Sequence, residues 1–428
     1  MQRRSLIKAM GTGGLLAAPA FAATVKSTQS AALSFQAIDP ARWSAFNAGE
    51  LNHLMQTQGK TSHGYNIKRK PYAVFDWDNT CIMNDCEEAL LVYQIDHLAY
   101  KLNQEEFAEV LRTGVPNGPF KVEAGYKNVE GKPVLMEDIA ADVDADYRWL
   151  YTNYKGFGGT MSMEQIHATE QFKDFRAKLY FMYDAICDSH PIEIGYKWII
   201  YFYKNMTPGE LKALAEASND YNLGDALRKV KMPSSGKFPG KAGQVVASHF
   251  FGVRIHDEIV NLMNTLRANG FDVYVSTASL DDVVRVFAGN AKYGYNVPAE
   301  NVIGLRLEMQ DGKYTNVYKN GWHFNWGPGK TVGIQRELLA KKGFGPALVA
   351  GDSDGDAWML KDFADTKVGV VVNRLKTGEI GERSKSAAAA IWQSGARFIL
   401  QGRNESTGIF VPDEKTLKYG KTDPQLLA

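Results

Sequence analysis

Apolar residues follow two rhythms along this chain. Short, largely apolar runs stand at Tyr72-Ala73-Val74-Phe75, Phe271 to Ser276, Ala347 to Ala350, Val368 to Val372 and Arg397 to Leu400. Runs this short, without clean alternation, suit strands buried on both faces. Around the later runs, Leu262 to Ala268, Asp281 to Ala288 and Thr331 to Ala340 carry apolar residues at helical spacing. Such alternation predicts an α/β domain, a parallel sheet with helices on both faces. A doubly buried strand cannot stand alone, so the run at Tyr72 is expected to join the same sheet. The stretch from about Tyr93 to Phe251 then becomes an insertion. Its pattern is mostly helical, broken by Gly/Pro loops at Gly114–Pro119 and Pro233–Gly243. Within it, Thr207-Pro208-Gly209-Glu210 reads as a capping box with Pro at the first helical position. Asp39-Pro40 reads as another helix start, with Trp43, Phe46, Leu51, Leu54 and Met55 as the buried side.

These patterns divide the chain into a leader at 1–22, an N-terminal helical arm at 23–70, a core segment at 71–92, an inserted helical domain at 93–255, the main core at 256–410 and a tail at 411–428. The first 22 residues read as an export signal. Arg3-Arg4-Ser5-Leu6-Ile7-Lys8 precedes a weakly apolar Gly/Ala-rich stretch and the small-x-small site Ala20-Phe21-Ala22. That order of charge, apolar stretch and cleavage site resembles the twin-arginine signal, which implies the twin-arginine export machinery as a partner and a periplasmic destination. No cysteine follows the apolar stretch, so no lipid anchor is expected. The 23–34 segment is small and polar and is expected to be disordered.

Composition narrows the function classes further. With 49 basic and 48 acidic residues the formal net charge is +1. No basic excess marks a nucleic-acid partner, and no run of about eighteen apolar residues marks a transmembrane helix. Cys81, Cys86 and Cys187 are too few, and odd in number, for a disulfide framework. Cys81 and Cys86 would pair only if the loop between them allowed the geometry.

Four strand-end stretches carry candidate chemistry. Asp76-Trp77-Asp78-Asn79-Thr80 follows the first apolar run. Two carboxylates two residues apart at a strand end can divide the work of nucleophile and general acid/base. The second run ends in hydroxyls at Ser276 and Thr277, which suit hydrogen bonds to phosphoryl oxygens. Gly327-Pro328-Gly329-Lys330 opens a helix with a cation able to offset phosphate charge. Asp352-Ser353-Asp354-Gly355-Asp356 clusters acids suited to a hard cation such as Mg²⁺. An EF-hand is excluded, because its twelfth position here is Phe363 rather than a bidentate glutamate.

The four motifs together, in this order, resemble the haloacid dehalogenase superfamily. The resemblance implies a Rossmann-like parallel-sheet core with a large helical cap inserted after the first core strand. It implies Asp76 as nucleophile, Asp78 as acid/base, Thr277 (or Ser276) and Lys330 on the phosphoryl group. It implies Mg²⁺ held by the Asp76 side chain, the Asp78 backbone carbonyl and Asp352, with Asp356 ordering the metal's surroundings. Dehalogenases of the superfamily lack a counterpart of Asp78, and its transport ATPases need membrane helices, so phosphatase or phosphotransferase chemistry is expected.

A closer resemblance lies in the D-x-D-N-T start followed by Asp85-Cys86-Glu87-Glu88, and in the Met206 to Glu210 block. Both are similar to the bacterial secreted phosphorylcholine phosphatases. This implies a small phosphomonoester substrate, with Glu87 and Glu88 near a substrate cation. A quaternary ammonium favours aromatic faces and carboxylates. The insertion offers Glu137, Asp138, Asp142, Asp144 and Asp146, then Tyr147, Trp149, Tyr151 and Tyr154, and a second run at Tyr196, Trp198, Tyr201, Phe202 and Tyr203. Aromatics at helical spacing more often form core than cage, acids more often a solvated face, and Glu87 and Glu88 suit a helix start. Other readings are a phosphoserine-like substrate, a phosphotransferase and a non-catalytic binding protein on the same fold.

Overall fold

The computed structural model describes residues 34–393 and 395–427. The arginine pair, the cleavage site and most of the polar stretch after it lie outside them. Six strands form the central sheet: β1 (Tyr72–Phe75), β2 (Asp272–Leu280), β3 (Val302–Leu305), β4 (Leu348–Gly351), β5 (Val368–Val372) and β6 (Phe398–Gln401). Their order is β6-β5-β4-β1-β2-β3 and every neighbouring pair is parallel. β1, β4 and β5 are buried at every position. This is why their apolar residues do not alternate. The chain builds outward from β1 to β3, then returns to add β4 on the other side of β1. The crevice between the carboxyl ends of β1 and β4 is therefore the switch point of the sheet, where α/β folds place ligands.

The strand β3 was not among the predicted elements. Gly304 interrupts its apolar run, and that glycine is needed for close approach. A Cβ there would lie 2.6 Å from the Ser279 carbonyl oxygen. The antiparallel hairpins Arg228–Pro233 with Val246–Phe251 and Leu307–Gln310 with Lys313–Tyr318 also depart from expectation.

Helix α1 (Ala45–Gln58) begins five residues after Pro40, not at it. Asp39 instead accepts from the amide of Ala41, whose φ is +26°, and Pro40 closes an isolated turn to Trp43. Ser44 is the true N-cap, accepting from the Asn47 amide.

The chain leaves the core through Ile82–Met83 and returns through Arg254–Ile255, which pair antiparallel. Between them lies the helical cap: α2 (Cys86–His97), α3 (Gln104–Arg112), α4 (Met136–Asn153), α5 (Met163–His167), α6 (Glu170–Ser189), α7 (Ile192–Tyr201) and α8 (Pro208–Gly224). The box at α8 forms as expected: Thr207 accepts from the Glu210 amide and Glu210 accepts from the Thr207 amide. The cap's interior is aromatic. Tyr147 stacks on Phe107 with ring centroids 3.7 Å apart, and Trp198, Phe202 and Tyr203 are fully buried. Most of the aromatic run is thus core. The acids are not one solvated face either: buried Asp142 and Asp174 flank the buried ammonium of Lys178 at 2.9 and 2.7 Å. Back in the core, α9 (Asp257–Ala268), α10 (Asp281–Gly289) and α11 (Pro328–Ile334) follow, and α11 runs on through a π turn at Gln335–Leu339. Among the described residues no helix is long and apolar enough to cross a membrane.

Candidate active site

Asp76 is the first residue past β1, and its amide donates to the Ala350 carbonyl on β4 (2.9 Å). Its two carboxylate oxygens are held separately. Oδ1 accepts from Lys330 Nζ (2.5 Å) and Oδ2 from the Thr80 hydroxyl (2.8 Å). Thr80 also lies 3.1 Å from Asp352 Oδ1, just past β4. Lys330, the third residue of α11, bridges onward to Asp356 Oδ1 at 2.7 Å. The other Asp356 oxygen accepts from the Asp352 amide, the Ser353 amide and the Ser353 hydroxyl. It therefore fixes the loop that carries Asp352. Three strand or helix ends thus deliver Asp76, Lys330, Asp352 and Asp356 to one buried cluster.

Asp78 points elsewhere. Oδ1 accepts from the Cys86 amide at the start of α2, and Oδ2 from the Ser279 hydroxyl, both at 2.8 Å. Asp85 is the N-cap of α2, accepting from the amides of Glu87 and Glu88. Glu87 is buried, and its carboxylate accepts from the Leu280 amide (2.9 Å) and the Tyr203 hydroxyl. Glu88 accepts from the Tyr183 hydroxyl at 3.3 Å. The two glutamates start a helix, and Glu87 also faces inward. Within β2, which runs on past the expected hydroxyls to Leu280, Thr277 is fully buried and its hydroxyl accepts from the Ser279 amide; Ser276 meets Asn325. Ser279, rather than Ser276 or Thr277, is the β2 hydroxyl that lines the cavity.

That cavity joins Asp76, Asp78, Lys330 and Asp352 to Asp85 and Glu87. Its aromatic wall is Tyr183, Tyr196 and Trp326, and two further cations, Arg374 and Lys376, face it. Of the cap aromatics singled out in the sequence, only Tyr196 lines this cavity. Tyr183 sits in the cap helix α6, and Arg374 and Lys376 follow β5 in a loop of ordinary polar appearance, so no sequence signal marked them. Arg403 was missed as well. Its buried guanidinium donates to the Asn79 carbonyl (3.1 Å) and side-chain oxygen (3.2 Å), bracing the left-handed residue (φ +63°) of the nucleophile loop. Cys81 and Cys86 are unpaired, and the Cys81 thiol contacts the Asp76 carbonyl at 3.0 Å.

No family model matches the sequence. The phosphorylcholine phosphatase of Pseudomonas aeruginosa is 26% identical over 392 residues, spanning 84% of this chain and 87% of that protein. The solved structure of a conserved protein of unknown function from Anaerococcus prevotii DSM 20548 matches with a TM-score of 0.85 at 31% identity, over 90% of this chain and 100% of that one. The chain is thus similar over most of its length to a phosphatase, and its parallel sheet and the order of its four motifs are those expected of a haloacid dehalogenase core.

The acid cluster suits a divalent cation. One carboxylate oxygen from each of Asp76, Asp352 and Asp356 lies within 4.8 Å of the others, and all three side chains are buried. Burial, and then the charge of Asp356, push the Asp76 carboxyl well above the usual range, while Lys330 pulls the other way. Burial works in the same sense on Asp352, yet Arg374 holds it below the usual range. Three buried carboxylates against Lys330 leave negative charge that a hard, oxygen-seeking ion would offset. Asp78 is raised by burial, with the Cys86 amide and Ser279 hydroxyl opposing. That favours a carboxyl able to hold a proton.

Proposed function

We propose that this phosphatase is a Mg²⁺-dependent phosphomonoesterase that works through an aspartyl phosphate on Asp76, with phosphocholine as its substrate. The observation that carries the mechanism is the separate holding of Asp76, with Lys330 on one oxygen and Thr80 on the other, two residues from an acid with its own partners. Asp76 attacks phosphorus and the P–O bond to the alcohol breaks. Asp78 gives its proton to the leaving oxygen. It then takes a proton from water as that water attacks phosphorus, which releases phosphate and restores Asp76. Lys330 and Ser279 are the proposed donors to the phosphoryl oxygens, Ser279 taking the place expected of Thr277, which does not line the cavity. Asp76, Asp352 and the Asp78 backbone carbonyl would hold Mg²⁺, which supplies charge stabilisation of the equatorial oxygens. Asp356 keeps Lys330 and the Asp352 loop in register.

The site for the far end of the substrate is proposed from the remaining lining of the cavity. Asp85 and Glu87 bring negative charge, and Tyr183, Tyr196 and Trp326 bring ring faces, the pairing a quaternary ammonium favours. The phosphorylcholine phosphatase relative points the same way. A phosphate-release screen over small phosphomonoesters and a neutral aryl phosphate, with Mg²⁺ and with EDTA, tests both parts. Hydrolysis of the aryl phosphate that persists in thoroughly chelated buffer defeats the metal assignment. A preference for phosphoserine over phosphocholine defeats the substrate.

Periplasmic export by the twin-arginine route is also proposed, from Arg3, Arg4 and the Ala20-Phe21-Ala22 site. Changing Arg3 and Arg4 to lysine should hold the protein in the cytoplasm, and normal export of that variant would exclude the route.

A further inference from the structure

We propose that Arg374 and Lys376 form a second anion clamp on the phosphoryl group, acting beside Lys330 to make the site selective for a phosphate dianion. The inference rests on the phosphatase reading above and extends it to two residues outside the four motifs.

Both side chains line the cavity that holds Asp76 and Lys330, while Leu375 between them does not. Leu375 has φ +57°, a left-handed conformation that a branched side chain adopts at a cost of about 1 kcal/mol or more. The loop that imposes it is built. Asn373 accepts from the Leu375 amide (3.0 Å), and its own amide donates to the Glu414 carbonyl (2.8 Å). An over-determined turn therefore presents two cations to one cavity.

Neither cation is satisfied there. Arg374 donates through one terminal nitrogen to Asp352, and its Nε is buried without a partner. Lys376 has no ion-pair or hydrogen-bond partner among the described residues, and the charge of Arg374, followed by burial, holds its ammonium below the usual range. Two like charges face one cavity and only Arg374 has a carboxylate in contact, an arrangement that calls for an anion. Arg374 matches planar bidentate oxygens and Lys376 acts as a point charge.

Lys376 gives the cleaner test, because Arg374 contacts a proposed metal ligand. The measurement is calorimetric titration of inorganic phosphate into the Mg²⁺-loaded full-length protein, for wild type, Lys376→Met, Lys376→Arg and Arg374→Gln. Lys376→Met and Arg374→Gln should each weaken phosphate binding about tenfold or more, the scale of a lost charge-assisted hydrogen bond. Lys376→Arg should retain most of it. Titrated separately, Mg²⁺ should bind Lys376→Met no more weakly than wild type, because a repelling charge has been removed. Phosphate binding within twofold of wild type in Lys376→Met overturns the proposal. So does parallel loss of phosphate, Mg²⁺ and thermal stability, which marks a structural role. A loss confined to pyrophosphate also overturns it, because the cations would then serve a second anionic group. Wild-type protein that binds phosphate with this lysine dependence yet hydrolyses no aryl phosphate leaves the clamp standing and removes the hydrolase reading instead.

Discussion

Asp76 is held between two donors of different kinds, an ammonium on one oxygen and a hydroxyl on the other. That arrangement fixes the carboxylate without consuming both lone-pair faces, and an amide in its place cannot form an acyl phosphate. Asp76→Asn should lower phosphate release by about a hundredfold or more with the circular-dichroism spectrum unchanged. Appreciable turnover by a folded Asp76→Asn protein would remove Asp76 as nucleophile. Glu87 makes a second prediction. Burial pushes its carboxyl up to about 7, against the opposing hydrogen bonds from Tyr203 and Leu280. The folded value lies above the ordinary carboxyl range, so its contribution to stability is full below the unfolded value and is lost as pH rises through about 7. Cation binding needs the charged form. The KM for phosphocholine should therefore fall as pH rises through about 7, while that for a neutral aryl phosphate follows only the common catalytic groups. Glu87→Gln should abolish the difference. Equal effects on both substrates would leave Glu87 a helix-start residue and nothing more.

Elements differ in how openly their sequence announces them. The strands β1, β4 and β5 are buried on both faces, so their composition alone marks them. The helix α8 carries its own start signal in Thr207 and Glu210. The strand at Arg228–Pro233 reads as polar because its lysines face outward, and β3 is masked by the glycine that its close packing requires. The candidate site divides the same way. The motif residues are legible because each closes an apolar strand or opens a helix. Arg374, Lys376, Arg403, Tyr183 and Trp326 are brought in by long-range packing that no local pattern encodes. The acids of α4 show the same limit, since their meaning depends on Lys178 in α6. That lysine is fully buried between Asp142 and Asp174, and burial, then the charge of Asp174, push neighbouring Asp146 up to about 9. Removing the cation strands two buried carboxylates, so Lys178→Met should destabilise the protein by about 3–5 kcal/mol. Asp146 behaves oppositely. Its raised value means that its stabilising contribution is full at low pH and is lost as pH rises through about 9. Asp146→Asn should thus be near neutral at pH about 4 and stabilising at pH about 8. Chemical denaturation at the two pH values measures both, and a strongly destabilising Asp146→Asn at the higher pH would show that Asp146 is charged.

At the scale of the whole molecule, the proposed metal site joins parts of the chain that sequence keeps far apart. Asp76 closes β1 before the cap begins, and Asp352 closes β4 after the cap and half the sheet have been laid down. The two strands are neighbours only because the chain returns to β1 to start the second half of the sheet. Unfolding separates these carboxylates, so an ion that bridges them binds the folded state and not the unfolded chain. Such binding stabilises by mass action, by about 2.7 kcal/mol when the ion stands at a hundred times its dissociation constant. Without the ion, three buried acids share Lys330 and Arg374, and burial disfavours their charged forms. The melting temperature should therefore rise with the logarithm of Mg²⁺ concentration, return to its starting value on adding EDTA, and fail to respond to Na⁺ at matched ionic strength. Asp352→Asn removes one ligand, so its Mg²⁺ response should vanish, and because it also breaks the pair with Arg374 its metal-free form should melt below wild type. This readout does not depend on turnover, which separates loss of the metal from loss of the nucleophile. Identical melting curves for the wild-type protein in Mg²⁺ and in EDTA would mean that the three carboxylates hold no ion in the folded state, and that the acid cluster is balanced by lysine and arginine alone.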